Sequence, residues 1–125
     1  MVATEAVFKR RHVHKFGGSS LADPVCYRRV ASIVEQQVGG NELVVVSAAG
    51  KTTNRLIQLV ELAEAGDEAA GEAITALHAY QQSLIDGLLE GELHLDLSQQ
   101  LTGDMQLIAK TLEGQFDRFE RNGLL

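Results

Sequence analysis

The stretch LVVVSAAGKTTN at residues 43–54 decides the fold class. Its first four residues are apolar and mostly β-branched, which is typical of a strand buried on both faces of a sheet. A loop of small residues follows, and apolar residues then recur at helical spacing from Leu56 to Ala63. This order predicts a strand, a loop and a helix that ends at Gly66.

The preceding residues predict a second strand and another helix. Residues 7–16 alternate between apolar and polar side chains and run into Gly-Gly-Ser-Ser, the pattern of a strand that enters a loop. Asp23 and Pro24 fit the N-cap and the first position of a helix, and the glycines at 39–40 fit its end. Two parallel strands joined by one helix form a right-handed βαβ unit.

The sequence after Gly66 changes character, because no convincing strand pattern remains. Residues 70–88 carry one apolar stripe, interrupted near Gly87 and Gly91, and residues 97–119 carry a second. Two antiparallel amphipathic helices whose stripes face a core are the simplest arrangement.

The predicted fold class is therefore α/β, in the order β-α-β-α-α-α. Residues 1–11 are expected to form a solvated leader, residues 12–66 a βαβα unit that carries the loops, and residues 67–125 a helical segment. Parallel sheets are normally covered on both faces and have more than two strands. We therefore expect this chain to be the N-terminal fragment of a larger α/β domain.

Composition and charge exclude several classes of protein. The 125 residues carry a net charge of −6 and one cysteine, Cys26. The negative charge argues against a general nucleic-acid or anionic-membrane partner. A single cysteine excludes an internal disulfide and a cysteine-rich zinc site. No apolar run reaches the ~20 residues of a membrane-spanning helix, and none has signal-peptide character, so a cytoplasmic protein is expected.

The loop after the first strand has the composition of an anion-binding site. Gly17 and Gly18 allow a close backbone approach, Lys15 adds a positive charge, and Ser19 and Ser20 add hydroxyl groups. An ordinary strand-to-helix turn would use the same residues. The pattern is not the Gly-x-Gly-x-x-Gly fingerprint of dinucleotide-binding folds.

The loop after the second strand offers further hydroxyl groups on Ser47, Thr52 and Thr53, near a predicted helix N-terminus that suits a carboxylate or a phosphate. Its GKT triplet is similar to the tail of a P-loop, but the position of the P-loop's leading glycine is occupied by Val45. Alternatively, one of the threonines only caps the helix. Open α/β sheets bind ligands at the carboxyl ends of their strands, where both loops lie.

Both loops resemble a known family. KFGGSSLAD at residues 15–23 is similar to the opening signature of aspartate kinases in the amino-acid kinase superfamily, and VVSAAGKTTN at residues 45–54 is similar to the second loop of that family. Within this family, the sequences of the two motifs are most similar to those of bifunctional members that also carry a homoserine dehydrogenase. The resemblance implies the N-terminal part of a three-layer α/β/α fold.

The resemblance also implies an activity, the transfer of the γ-phosphoryl group of ATP, bound with Mg²⁺, to the side-chain carboxylate of L-aspartate. This is the first step toward methionine, threonine and lysine. The residues that match the family's positions are Lys15 as the catalytic residue, Gly17, Gly18, Ser19 and Ser20 around the phosphate, and Ser47 and Thr53 at the aspartate. No residue is assigned to a metal ion.

Several parts of the family pattern do not occur in residues 1–125: a later acidic Gly-Glu motif, the nucleotide-binding half, and the dehydrogenase half that would use NADP. The fragment alone is therefore expected to be inactive, and the parent enzyme is expected to form a homo-oligomer. Two alternatives remain open, a non-catalytic helical interaction module and a degenerate P-loop nucleotide binder.

Overall fold

The computed structural model describes residues 12–121, with side chains through residue 113, and the predicted leader at 1–11 lies outside these residues. The elements in chain order are β1 (Val13–Phe16), a 3₁₀ turn (Gly18–Leu21), α1 (Pro24–Gln37), β2 (Leu43–Val46), α2 (Thr52–Glu64), α3 (Ala69–Leu88) and α4 (Gly91–Arg121). One compact unit ends at Gly50 and a second begins at Lys51. The described helices include none that is long and apolar enough to cross a membrane.

The first unit contains a parallel pair of strands. β1 and β2 pair in the register Val13 with Leu43 through Phe16 with Val46. Because α1 lies between them in sequence, these elements form the predicted βαβ unit, and the α/β fold class is confirmed.

The carboxylate of Glu42 holds the beginning of this strand pair together. It accepts hydrogen bonds from the backbone N–H of Gly39 (2.9 Å), the backbone N–H of His12 (3.2 Å) and Nε2 of His14 (3.0 Å). These bonds, first of all the one from Gly39, lower the pKa of Glu42 from 4.5 to about 2. The turn before β2 is thereby fastened to β1.

Helix α1 begins and ends through local signals. Asp23 occupies the N-cap, its Oδ1 accepts a hydrogen bond of 2.8 Å from the backbone N–H of Cys26, and Pro24 takes the first helical position, as predicted. The helix ends at Gln37, just before the two predicted terminating glycines. It packs against the 3₁₀ turn.

The prediction that residues 43–46 are buried on both faces is wrong for the described part of the chain. The four side chains of β2 are between 37% and 60% exposed. The described part of this unit supplies two strands and one long helix, and that helix packs against the 3₁₀ turn. An apolar β-branched run therefore indicates that a strand is suited to burial, but it does not show that other elements cover the strand.

The second unit is a packed group of three helices. Leu59 of α2, Leu77 of α3 and Met105 of α4 are 1%, 3% and 5% exposed and form its core. The flanking apolar residues are Ala73, Ile74, Leu101, Ile108 and Leu112. Both stripes predicted beyond Gly66 contribute to this core, although Leu97 is 38% exposed and the side chains at 114–119 lie outside the described residues. Helix α2, which the sequence grouped with the strands, packs with α3 and α4.

Candidate active site

The ends of the two strands bring the two predicted loops of the first unit together. The strands finish in register at Phe16 and Val46, and the ladder continues with a 3.0 Å hydrogen bond from the backbone N–H of Ser47 to the carbonyl of Phe16. Gly17 and Ser47 therefore leave the sheet at the same edge. This edge is the one at which open parallel sheets bind ligands.

Gly18 is required by the contact between the loops. The backbone N–H of Gly50 donates a 3.0 Å hydrogen bond to the carbonyl of Gly18. A Cβ atom on Gly18 would collide with the carbonyl oxygen of Gly50 and would lie 3.4 Å from that of Ala48. Gly50 itself has a left-handed φ of 53°, which suits glycine. The contact with the second loop thus explains the glycine at position 18 independently of the anion that the sequence suggested.

Gly17 differs from its neighbour because the protein leaves its surroundings open. Among the described residues other than its two chain neighbours, no atom lies within 4 Å of the position that a Cβ atom would take. Its backbone is extended, with φ of −79° and ψ of 178°, and its carbonyl accepts a 3.1 Å hydrogen bond from the backbone N–H of Ser20. Neither packing against the described residues nor backbone conformation requires glycine at this position.

The predicted polar groups of the first unit lie at the surface. Lys15, Ser19, Ser20 and Ser47 are all exposed. The hydroxyl of Ser47 donates a 2.8 Å hydrogen bond to the carbonyl of Ala48. Because a hydroxyl has one hydrogen, its oxygen retains lone pairs for a ligand that donates.

The predicted residue Thr53 belongs to the second unit, where it is exposed in the first turn of α2. Lys51 takes the N-cap position without a side-chain hydrogen bond, so neither Thr52 nor Thr53 is the N-cap residue.

Sequence reasoning missed two residues of α3 that contact this turn. Gln81 Nε2 donates a 2.7 Å hydrogen bond to Oγ1 of Thr52, and the guanidinium of Arg55 lies 4.7 Å from the centre of the Tyr80 ring. The apolar stripe of α3 could have indicated Gln81, because this residue follows the core residue Leu77 by one helical turn and lies on the same face.

The sequence also matches known proteins. The amino acid kinase family matches over residues 10–118. The chain is 41% identical over 112 residues to "Bifunctional aspartokinase/homoserine dehydrogenase 2" of Escherichia coli, which covers 90% of this chain and 14% of that protein. It is 33% identical over 103 residues to "Aspartokinase 2, chloroplastic" of Arabidopsis thaliana, which covers 82% of this chain and 17% of that protein.

A third relative is more similar over a shorter stretch. "Aspartokinase" of Mycolicibacterium smegmatis is 55% identical over 49 residues, which is 38% of this chain and 12% of the relative. The chain thus spans between 12% and 17% of the length of these three proteins. These matches confirm the resemblance seen in the two loops, and with a family match that covers most of the sequence, the chain belongs to the amino acid kinase family.

Proposed function

We propose that this chain forms part of the active site of an aspartate kinase that phosphorylates the side-chain carboxylate of L-aspartate. The observation that carries the proposal is the joining of two loops at the carboxyl ends of β1 and β2 through the Gly50–Gly18 hydrogen bond. In the reaction, a carboxylate oxygen attacks the γ-phosphorus of ATP, the bond to the β-bridging oxygen breaks, and ADP leaves with that electron pair.

Lys15 and Gly17 suit the phosphoryl group. The transferred group spreads negative charge over its oxygens, and an exposed ammonium is the kind of charge that stabilises it. The open space beside Gly17 lets a phosphate oxygen approach the backbone without meeting a side chain. Ser19 and Ser20, exposed on the 3₁₀ turn, can add hydroxyl donors to the same loop.

Ser47 and Thr53 suit the aspartate. The oxygen of Ser47, whose hydrogen is directed at the carbonyl of Ala48, can accept from the ammonium group of the amino acid. Thr53 presents a hydroxyl in the first turn of a helix that begins without a side-chain cap, which suits a carboxylate.

The resemblance to aspartate kinases also concerns Mg²⁺ and NADP. Mg²⁺ would arrive as the ATP complex, because it is commonly held by the phosphate oxygens of the substrate. NADP would serve only a homoserine dehydrogenase domain, and no residue of this chain is assigned to it. The sequence contains no Gly-x-Gly-x-x-Gly fingerprint.

One alternative function has an observation in its favour. Leu93, Leu95 and Leu107 of α4 are exposed, and such side chains could contact a protein partner in a non-catalytic helical module. The P-loop alternative is less favoured, because Val45, where a P-loop needs its first glycine, lies within β2.

Two substitutions in the full-length protein that carries this sequence test the proposal. Lys15→Met should lower kcat for aspartate phosphorylation about 10²–10³-fold, because its charge acts mainly in the transition state. Thr53→Val should raise the aspartate KM about tenfold to a hundredfold through loss of a hydrogen bond to a charged substrate, with the ATP KM unchanged. ADP release coupled to NADH oxidation measures both.

Lys110→Met and Thr75→Val are the matched controls, since both residues are exposed on helices outside the proposed site. Both should keep wild-type kinetics. A wild-type protein that releases no ADP in response to aspartate, or full turnover by the Lys15→Met variant, contradicts the proposal. The assay uses the full-length protein because the 125-residue chain, which spans 14% of its Escherichia coli relative, is expected to be inactive alone.

A further inference from the structure

The first turn of α2 is held by contacts from another helix. Lys51, at the N-cap, forms no side-chain capping hydrogen bond. Helix ends without such a cap fray, because their first backbone N–H groups have no partner within the helix. The core residue Leu59 is two turns further along α2 and fixes the middle of the helix.

Two contacts from α3 reach this turn. Gln81 Nε2 donates a part-buried 2.7 Å hydrogen bond to the hydroxyl oxygen of Thr52. The second contact joins Tyr80, which precedes Gln81 on α3, to Arg55 of α2. The Arg55 guanidinium lies 4.7 Å from the centre of the Tyr80 ring. Thr53 lies between the two fastened residues of α2, and its own side chain is exposed.

The packing of the core determines which residues of α3 can make these contacts. Leu77 meets Leu59 in the core, and Gln81 lies one turn after Leu77 on the same face of α3. Leu77 contacts Leu59, whereas Gln81, later on α3, contacts Thr52, earlier on α2, so the two helices run antiparallel. The face of α3 that is apolar at Leu77 is therefore polar at Gln81, where it meets the start of α2.

We propose that Gln81, assisted by Tyr80, is a positioning residue that fixes the first turn of α2 and thereby places Thr53 for the aspartate substrate. The inference rests on the proposed role of Thr53. Small displacements of a binding group weaken its interaction, and fixing the turn beforehand removes an ordering cost from substrate binding.

The kinetic test compares two adjacent glutamines in the full-length protein. Gln81→Leu should raise the aspartate KM about three- to tenfold and leave the ATP KM unchanged, because the loosened turn weakens the aspartate contact alone. Gln82→Leu is the matched control. Gln82 is equally half-buried, but its 2.9 Å hydrogen bonds go to Asp86 and Ser98, away from α2, so its aspartate KM should remain that of the wild type.

Substitutions of Thr52 separate positioning from a general loss of stability. Thr52→Val removes the acceptor and should raise the aspartate KM as Gln81→Leu does, whereas Thr52→Ser keeps the hydroxyl and should retain wild-type kinetics. The double variant that combines Thr52→Val with Gln81→Leu should be no worse than Thr52→Val alone, because Thr52→Val has already removed the interaction that Gln81→Leu removes.

Hydrogen exchange supplies a readout independent of turnover. The backbone N–H of Arg55 donates a 3.0 Å hydrogen bond to the carbonyl of Lys51, the first such bond of α2. Its exchange should accelerate about tenfold in Gln81→Leu and remain unchanged in Gln82→Leu, because local opening governs exchange.

The outcomes distinguish this inference from the proposed function. If Thr53→Val raises the aspartate KM but Gln81→Leu does not, the positioning role is wrong while the proposed function stands. Unchanged Arg55 exchange in Gln81→Leu also overturns the positioning role. If Thr53→Val leaves the aspartate KM unchanged, the proposed role of Thr53 fails, and the inference falls with it.

Discussion

Gly17 and Gly18 are adjacent in sequence, but only Gly18 is required to be glycine by a contact within the described residues. A Cβ atom fits in open space at Gly17 and collides with the second loop at Gly18. Substitution by alanine should therefore separate function from folding at these two positions. The first position tests the space left for a ligand, and the second tests the contact between the loops.

We expect Gly17→Ala to leave the free energy of unfolding unchanged or to raise it by up to about 1 kcal/mol, because its φ of −79° suits alanine and the unfolded chain loses freedom. The same change should reduce aspartate kinase turnover. Gly18→Ala should lower the free energy of unfolding by about 1–3 kcal/mol through overpacking. Urea unfolding and steady-state kinetics measure the pair, and full activity in Gly17→Ala would exclude close phosphate approach there.

Residue types were predictable where the determining contact is local. The N-cap role of Asp23 could be predicted because its partner, Cys26, is three residues away. Lys15, Gly17 and Gly18 could be selected from a motif, but the Gly18–Gly50 contact could not, because it depends on the pairing of two separate strands. Gln81 was missed for the same reason, since its partner Thr52 is distant in sequence.

At the scale of the elements, the strand pair depends on one ionised carboxylate. The pKa of Glu42 is lowered from 4.5 to about 2 by its hydrogen bonds to Gly39, His14 and His12. A group whose pKa is lower in the folded state stabilises the fold fully above its unfolded value and loses that contribution as it becomes protonated. Acidification from 4.5 toward 2 should therefore weaken the β1–β2 pair.

Glu42→Gln should lower the stability at neutral pH and reduce the further loss on acidification. Asp23 and Asp86 also have lowered pKa values, through hydrogen bonds from Cys26 and Gln82, so the wild type and the variant both lose stability in acid. The difference between their urea midpoints should shrink as the pH falls from 4.5 toward 2. Glu35→Gln on α1 is the control, and a difference that is independent of pH would contradict this role of Glu42.

Elements were predicted better than their environments. The 3.6-residue period located α3 and α4, and the glycines at 66 and 91, with left-handed φ values of 67° and 65°, lie where helices end or begin. The burial of β2 was wrong because the sequence of a strand reports its capacity for burial, whereas its surroundings depend on other elements.

At the scale of the whole molecule, the exposed strand indicates association. Within the described residues the sheet has two strands, and the apolar side chains of β2 and the outer edges of this pair attract further strands or apolar surfaces. We expect the 125-residue chain to self-associate at micromolar concentration, and Val46→Lys, at a side chain that is 58% exposed, to shift it toward the monomer. Light scattering after size-exclusion chromatography measures this. A strictly monomeric wild-type chain would contradict the expectation.

The hydrogen bond between Gly50 and Gly18 also limits how this sequence can be recombined with its relatives. A crossover between these two positions combines the first loop of one parent with the second loop of another. If the first parent has any side chain at position 18, its Cβ atom collides with the carbonyl oxygen of residue 50. A crossover after Lys51 inherits both loops from one parent. The two loops therefore form a single block of inheritance, and functional chimaeras should exchange residues 15–50 together.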